Sequence, residues 1–349
     1  MYTNYYFPSI LTSFNPAAAT FPYYGVNSGK NAIRLLLKSY KQALGTKVAL
    51  PAFVCDSLKE AVLEEGFSPV YLDLKTDGAF WTDYSHPDIL SGQVPIVILV
   101  HMFGFIHPDS AQIMNLCKDK KLFLLHDAAQ SYGIDETILS YGSGIVYSFG
   151  PGKSTTAAGG AIIRGISKDA LEKIPASSFA QDRLSRLFLK SRILGYRMGM
   201  TDIFTRKALS LFPPGKVIRH MSAFQQSAAL ACMALVKTLS DKRKLNYKML
   251  EQAVTDNPLF EVAYDDRQGL YFKIIFKAKG NLNTLKTFLH AKNIPFFSIM
   301  DSIQTDKEAV NKLPNLQATG ASFLELSSEA CLPSEEVERV AALLKSYTE

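Results

Sequence analysis

The chain has 349 residues, is 47% hydrophobic and 20% charged, and carries a formal net charge of +6. This is ordinary globular composition, long enough for two domains and a sizeable core. The charge is too mild to mark a nucleic-acid-binding protein, and no zinc finger, RNA-binding aromatic motif or long basic run is present; it suits an anionic substrate such as a phosphate ester.

No uncharged apolar run reaches the roughly 18 residues of a membrane span, so no transmembrane segment is expected. Met1-Tyr2-Thr3-Asn4-Tyr5-Tyr6-Phe7-Pro8 has no basic segment before an apolar stretch and does not resemble a secretion signal. Cys55, Cys117, Cys232 and Cys331 lie far apart, without metal-ligand spacing. They read as free thiols, small buried apolar residues in a reducing, cytoplasmic compartment, and no metal site is expected.

In chain order, Asn27-Ser28-Gly29-Lys30-Asn31-Ala32-Ile33 opens a helix over Ala32 to Leu44. Gly29 lets backbone N–H groups approach an anion, and the helix start adds partial positive charge. Ser28 and Asn31 add side-chain donors, although N-capping explains the same residues. Lys47 to Leu50 predicts a short strand ending at Pro51. Asp56 to Glu65 is helical up to Gly66, and Pro69 to Asp73 is strand-like. Val94 to Val100 is a continuous apolar run, as in a strand buried on both faces. A helix over Asp109 to Lys120 follows Pro108, then an apolar strand over Leu122 to His126. Gly144 to Phe149 and Gly160 to Arg164 read as two strands around a turn. The alternation predicts an α/β fold, a mostly parallel central sheet flanked by helices, with ligands beyond the carboxyl ends of its strands.

Residues 178 to 215 break this alternation. Arg183, Arg186, Lys190, Arg192, Arg197, Arg206 and Lys207 are interleaved with Leu, Phe and Ile, and only Asp182 and Asp202 oppose them. This predicts a basic amphipathic helical insertion: a solvated face over a packed one, or a cap attracting a diphosphate or a membrane surface. Ser222 to Val254 reads as one long helix. After Pro258 the pattern is α+β, with a strand over Tyr271 to Phe276, a helix over Leu282 to Lys292 and a terminal helix over Ser334 to Tyr347. The expected domains are a large one over 1–236 and a small C-terminal α+β one over 237–349.

Two segments at the predicted strand ends carry chemistry. In His126-Asp127-Ala128-Ala129-Gln130-Ser131-Tyr132-Gly133, Asp127 follows a buried strand, where a carboxylate is costly without a partner. A helix N-cap is one explanation. A protonated pyridine nitrogen is another, because a carboxylate facing it keeps the ring cationic and makes it an electron sink. Gln130 could reach a ring oxygen from the same turn. In Tyr147-Ser148-Phe149-Gly150-Pro151-Gly152-Lys153-Ser154, a lysine sits in a Gly/Pro turn after a buried strand. Gly152-Lys153-Ser154 echoes the end of a Walker A loop, but Tyr147 stands where that loop needs its first glycine.

A phosphate site early, an Asp-x-x-Gln at a strand end and a lysine further on occur in this order. With LPAF (50–53), LVHMFG (99–104), YSFGPGKSTTAAGGAII (147–163) and MSAFQQSAAL (221–230), the sequence resembles the DegT/DnrJ/StrS-type aminotransferases, the nucleotide-sugar aminotransferase group. The resemblance implies fold type I of the pyridoxal 5′-phosphate (PLP) enzymes, with an amino acid, glutamate foremost, as donor and a keto sugar as acceptor. It also implies a homodimer with active sites at the interface. Lys153 then matches the Schiff-base lysine, Asp127 the partner of the pyridine nitrogen, and Gln130 the neighbour of the ring hydroxyl. Ser148 matches a phosphate-binding hydroxyl, and Gly29, Lys30 and Asn31 the phosphate-cradling turn.

Three positions depart from the family. Lys30 stands where threonine is frequent. The family places an aromatic ring over the cofactor shortly after the Pro51 position; Cys55 stands in register there, Phe53 two residues before, and Phe53, Cys55 and His101 are the candidate neighbours of the ring. Ile218-Arg219-His220 replaces an Asn-Tyr-Arg run, so the asparagine that would reach the partner's phosphate is absent. Arg219 is its candidate substitute, and Arg183 and Arg186 are candidate diphosphate contacts. Two alternatives stay open: a PLP-dependent sugar dehydratase, against which Lys153 argues because histidine replaces the lysine there, and a non-catalytic PLP- or sugar-binding regulatory protein of the same fold.

Overall fold

The apolar runs assemble into a seven-stranded sheet in the computed structural model, which describes residues 23–76, 80–134, 142–150, 153–155, 157–197, 217–264, 269–271, 273–298, 311–320, 322–328 and 332–348. Its strands are β1 (Tyr24–Val26), β2 (Lys47–Pro51), β3 (Ser68–Leu72), β4 (Ile96–Val100), β5 (Phe123–Asp127), β6 (Gly144–Ser148) and β7 (Ala161–Arg164), in the order β1-β7-β6-β5-β4-β2-β3. From β6 to β3 all neighbours are parallel, while β7 and β1 are antiparallel additions at one edge. Every residue of β4, β5 and β6 is buried, because helices cover both faces of a parallel sheet. The register pairs Val100 with Asp127 and Asp127 with Val146, which brings the carboxyl ends of the three central strands level.

Two local readings change. The edge strand β1 has only three residues, too few to carry a periodic signal, and the sequence does not announce it. The helix expected over Ser222 to Val254 is two helices, Ala223–Met233 and Val236–Thr255, interrupted at Ala234 and Leu235. No proline or glycine marks this break. It places Val236 hard against Gly133, where an added Cβ would lie 2.1 Å from Val236 Cγ1. The basic segment forms one helix, Phe179–Arg197; the rest of it, with Arg206 and Lys207, lies outside the described residues.

The C-terminal part builds a four-stranded antiparallel sheet in the order β10 (Phe297–Ser298), β11 (Phe323–Ser327), β9 (Lys273–Ala278), β8 (Phe260–Val262). Its core is continuous with that of the larger sheet through an aromatic seam. Phe53 meets Phe80 at 4.7 Å between ring centroids, Phe80 meets Phe323 at 4.8 Å, and Trp81 meets Tyr264 at 4.4 Å. Tyr264 Oη donates to the Phe80 carbonyl at 2.9 Å, satisfying the one polar atom that this buried ring carries. Among the described residues no helix is long and apolar enough to cross a membrane.

Candidate active site

Strand β5 delivers Asp127 to its carboxyl end with the side chain buried. One carboxylate oxygen accepts from the Ala129 N–H at 3.0 Å. Burial pushes the carboxyl above its ordinary pKa, and the charge of Lys153 and the Ala129 hydrogen bond oppose that shift. Asp127 therefore sits where only a nearby cation makes its ionised form comfortable.

Lys153 lies in the loop between β6 and β7. The loop is pinched at its base, where Ala157 N–H donates to the Phe149 carbonyl at 2.9 Å and Phe149 N–H donates to the Gly160 carbonyl. Gly160 has φ +91°, and an added Cβ would meet Met221 Cε at 2.5 Å, so the turn needs glycine twice over. Gln130 is engaged away from the lysine: its Oε1 accepts from the Phe103 N–H at 2.7 Å, and its carbonyl accepts from Ser154 Oγ at 2.7 Å.

The third component is the start of helix Gly29–Leu44. Ser28 caps it by accepting the Asn31 N–H at 3.2 Å. Gly29 approaches Ser148 so closely that a Cβ would lie 2.9 Å from Ser148 Oγ. The N–H groups of the first turn and the hydroxyls of Ser28 and Ser148 thus converge, which is the arrangement an anionic group requires. A cavity of about 490 Å³ joins the three components; it is lined by Ser28, Gly29, Asn31, Asp127, Ser148 and Lys153, among others.

The remaining candidates divide. Lys30 lines the cavity, but its Nζ holds Glu60 at 2.6 Å and Glu64 at 2.7 Å. Burial works against the Lys30 charge, yet the two carboxylates outweigh it and raise its pKa. Asn31 lines the cavity, but its side-chain amide turns to the Asn27 side chain and the Val217 carbonyl, and its backbone N–H donates to the Ser28 cap. Cys55 is exposed and lines the cavity, so the expectation of a buried cysteine fails there; Cys117 and Cys232 are buried, each thiol pushed up to about 12. Cys331 lies outside the described residues. Phe53 is absorbed by the aromatic seam and is not among the cavity's lining residues.

His101 is also core. Its Nδ1 accepts the His107 N–H at 3.3 Å, so its proton sits on Nε2, which donates to His126 Nδ1 at 2.9 Å. Burial, then His126 and His107, hold its pKa well below 6.5 and keep the ring neutral. Its backbone N–H donates to the Asp127 carbonyl at 3.1 Å, so it supports the site from behind.

The three arginines stand apart from the cavity. Arg183 lies over the Phe179 ring at 5.1 Å. Arg186 binds Asp182 at 2.7 Å and covers Phe224 at 4.5 Å. Arg219 donates to the Ala176 carbonyl at 3.2 Å. Sequence reasoning misses Arg34, Glu60 and Glu64 at the cavity rim, because an acidic i,i+4 pair on a helix reads as a solvated face. Among the described residues no cluster of His, Cys, Asp or Glu could hold a metal ion.

A parallel sheet that presents an aspartate, a loop lysine and a helix N-terminus to one cavity has the fold-type I architecture of PLP-dependent transferases. The chain belongs to the DegT/DnrJ/EryC1/StrS aminotransferase family, whose profile matches residues 23–345. Over 138 residues, 39% of the chain, it is 30% identical to a UDP-N-acetyl-3-dehydro-alpha-D-glucosamine 3-aminotransferase of Acidithiobacillus ferrooxidans. Over 146 residues, 40% of the chain, it is 27% identical to a GDP-perosamine synthase of Escherichia coli O157:H7. These alignments span only 37% and 39% of the two relatives. The fold is similar to that of NtdA from Bacillus subtilis, solved with bound cofactor PMP, at a TM-score of 0.69 and 17% identity over 92% of this chain and 72% of that one.

Proposed function

We propose that this protein is a PLP-dependent aminotransferase that moves an amino group from an amino acid, with glutamate as donor, to a nucleotide-linked keto sugar. The observation that carries the reading is the facing of Asp127 and Lys153 across one cavity, close enough for the lysine's charge to act on the carboxyl. The residues fit the cofactor. The cradle at Gly29, Asn31 and Ser148 suits its phosphate, and the buried Asp127 suits a protonated ring nitrogen.

Bound PLP supplies an electron sink for the pair left when the donor loses its α-proton. Lys153 would hold the cofactor through its amine and, as a neutral amine, would carry the proton taken from the donor's α-carbon. Asp127 would hold a proton on the ring nitrogen, a cation that suits its buried carboxylate. Gln130, through its bond to Phe103, fixes the turn after β5 and so the height of Asp127. His101 supports the site through its backbone bond to Asp127, Phe53 belongs to the aromatic seam, and Cys55, exposed on the cavity lining, is the candidate contact for the ring. Lys30 acts through its bridge to Glu60 and Glu64, which ties helix Gly29–Leu44 to helix Asp56–Glu64.

The reading includes a cytoplasmic homodimer with active sites at the interface, and a division into a large domain over 1–236 and a small one over 237–349. Two separate sheets, with Val236 opening the helix that leads to the second, support that boundary. The purified protein should take up PLP with a visible absorbance band, and borohydride should fix the cofactor on Lys153, located by peptide mass spectrometry. In a separate sample, not treated with borohydride, adding glutamate should remove the band. Protein that stays colourless with PLP, or whose band no amino donor alters, rejects the aminotransferase reading.

A further inference from the structure

Among the described residues the largest fully buried side chain is Arg243, on helix Val236–Thr255. Arginine is rarely fully buried, because its charge must be matched by polar partners inside the protein. Arg243 Nη2 donates to the carbonyl of Ser154, the residue after Lys153, at 2.7 Å. Ser154 is itself 1% exposed, and its Oγ donates to the Gln130 carbonyl on the turn that follows Asp127. Ser154 is thus held at two points, its carbonyl by the arginine and its hydroxyl by the Asp127 turn. Ser154 is bonded directly to Lys153, so holding its carbonyl and its hydroxyl restrains the backbone from which the lysine side chain departs.

The arginine's own position is equally constrained. One turn further along the same helix, Tyr247 is 0% exposed, and its Oη donates to the Tyr264 carbonyl at 3.2 Å. Leu250 and Val254 continue that face into the core of the second sheet. Arg243 is therefore where the body of the C-terminal part grips the lysine loop.

We propose that Arg243 is a positioning residue for Lys153: a buried guanidinium, anchored in the helix that carries the second sheet, that holds the Ser154 carbonyl and thereby aims the lysine amine at the cavity. The inference rests on the aminotransferase reading for its catalytic consequence, but the aim of the lysine is independent of it. A reactive group displaced by about 1 Å loses on the order of 100-fold in rate. Arg243→Met should accordingly lower kcat by roughly 100-fold while leaving KM for the amino donor within about 2-fold, the split expected when alignment and not binding is lost. It should also move the pH midpoint of the cofactor's visible band. Arg243→Lys, which retains the charge and one donor, should recover part of both.

The deciding measurement uses the cofactor-free chain: the rate at which an amine-selective reagent labels Lys153, read by peptide mass spectrometry against an exposed lysine such as Lys237. A change of about threefold or more in a folded Arg243 variant supports positioning. Unchanged Lys153 labelling, with an unchanged visible band, overturns it and leaves the arginine as internal glue. If Arg243→Met does not fold, Arg243→Lys decides the matter by the same readout. A wild-type protein without a visible band rejects the aminotransferase reading alone, because the labelling comparison still stands.

Discussion

Two regions of the molecule carry their charges in opposite ways. At the carboxyl ends of β5 and β6 there are few charges, yet each is buried or half-buried beside the cavity. On helix Phe179–Arg197 charges are many, and Arg183, Arg186 and Asp182 are satisfied locally. Asp182 shows this well. Burial opposes its ionisation, but Arg186, the Phe224 N–H and Ser222 outweigh it and hold its carboxyl below the ordinary value. Asp127, with the Ala129 N–H as partner and Lys153 nearby, is instead pushed up. A functional charge is marked by what its environment leaves undone, and a run of arginines by itself marks a solvated face.

That contrast can be broken most forcefully at Lys153. Lys153→Ala should lower single-turnover rates by roughly 10⁴-fold, the scale of a lost acid–base and covalent group. Asp127→Asn should come next, with roughly 10³-fold lower kcat. It should also raise the melting temperature of the cofactor-free protein at pH 7. Because the folded pKa of Asp127 is raised, the unfolded chain gives up this proton at lower pH than the folded one. Stability is then lost as pH rises through the folded value, and the neutral amide removes that loss. A cofactor-free Asp127→Asn protein that melts lower than wild type at pH 7 would contradict the strained-carboxylate account.

Gly29→Ala tests the phosphate cradle. Its Cβ would press on Ser148, so PLP affinity measured by absorbance titration should weaken about 10-fold. The histidines give a smaller effect, visible only in acid. His101 has a folded pKa well below 6.5, so the unfolded chain binds a proton below that pH that the folded chain refuses. Stability is complete above pH 6.5 and falls as pH drops below it, and His101→Gln should flatten this limb of the melting curve. The least effect belongs to the basic helix: charge reversal at Arg183 and Arg186 together should change kcat/KM for the proposed keto-sugar substrate by less than about 2-fold. A loss beyond about 10-fold would bring that helix back as a diphosphate contact.

The central strands are legible in sequence because a strand buried on both faces must be apolar throughout, as Ile96 to Val100 is. Asp127 and Lys153 are legible for the opposite reason, as polar residues placed where burial is expensive. Short elements escape: β1 has three residues, and the break at Ala234 and Leu235 has no sequence punctuation. Phe53 and Cys55 are not separable by type, because only the packing of Phe80 and Phe323 decides which of the two turns inward. Arg243 is invisible for a similar reason. An arginine in an amphipathic helix looks solvent-facing until the neighbouring loop is built over it.

The aromatic seam bears on how such a chain can be taken apart. Cutting it after residue 236 would strip Tyr247, Tyr264, Tyr271 and Phe323 from Phe53, Phe80, Trp81, Phe103 and Phe105. The fragment would display a contiguous patch of aromatic rings to water, a surface that invites aggregation. Swapping C-terminal parts between relatives would then fail at the graft unless both faces of the seam travel together, which makes the seam the practical unit of recombination.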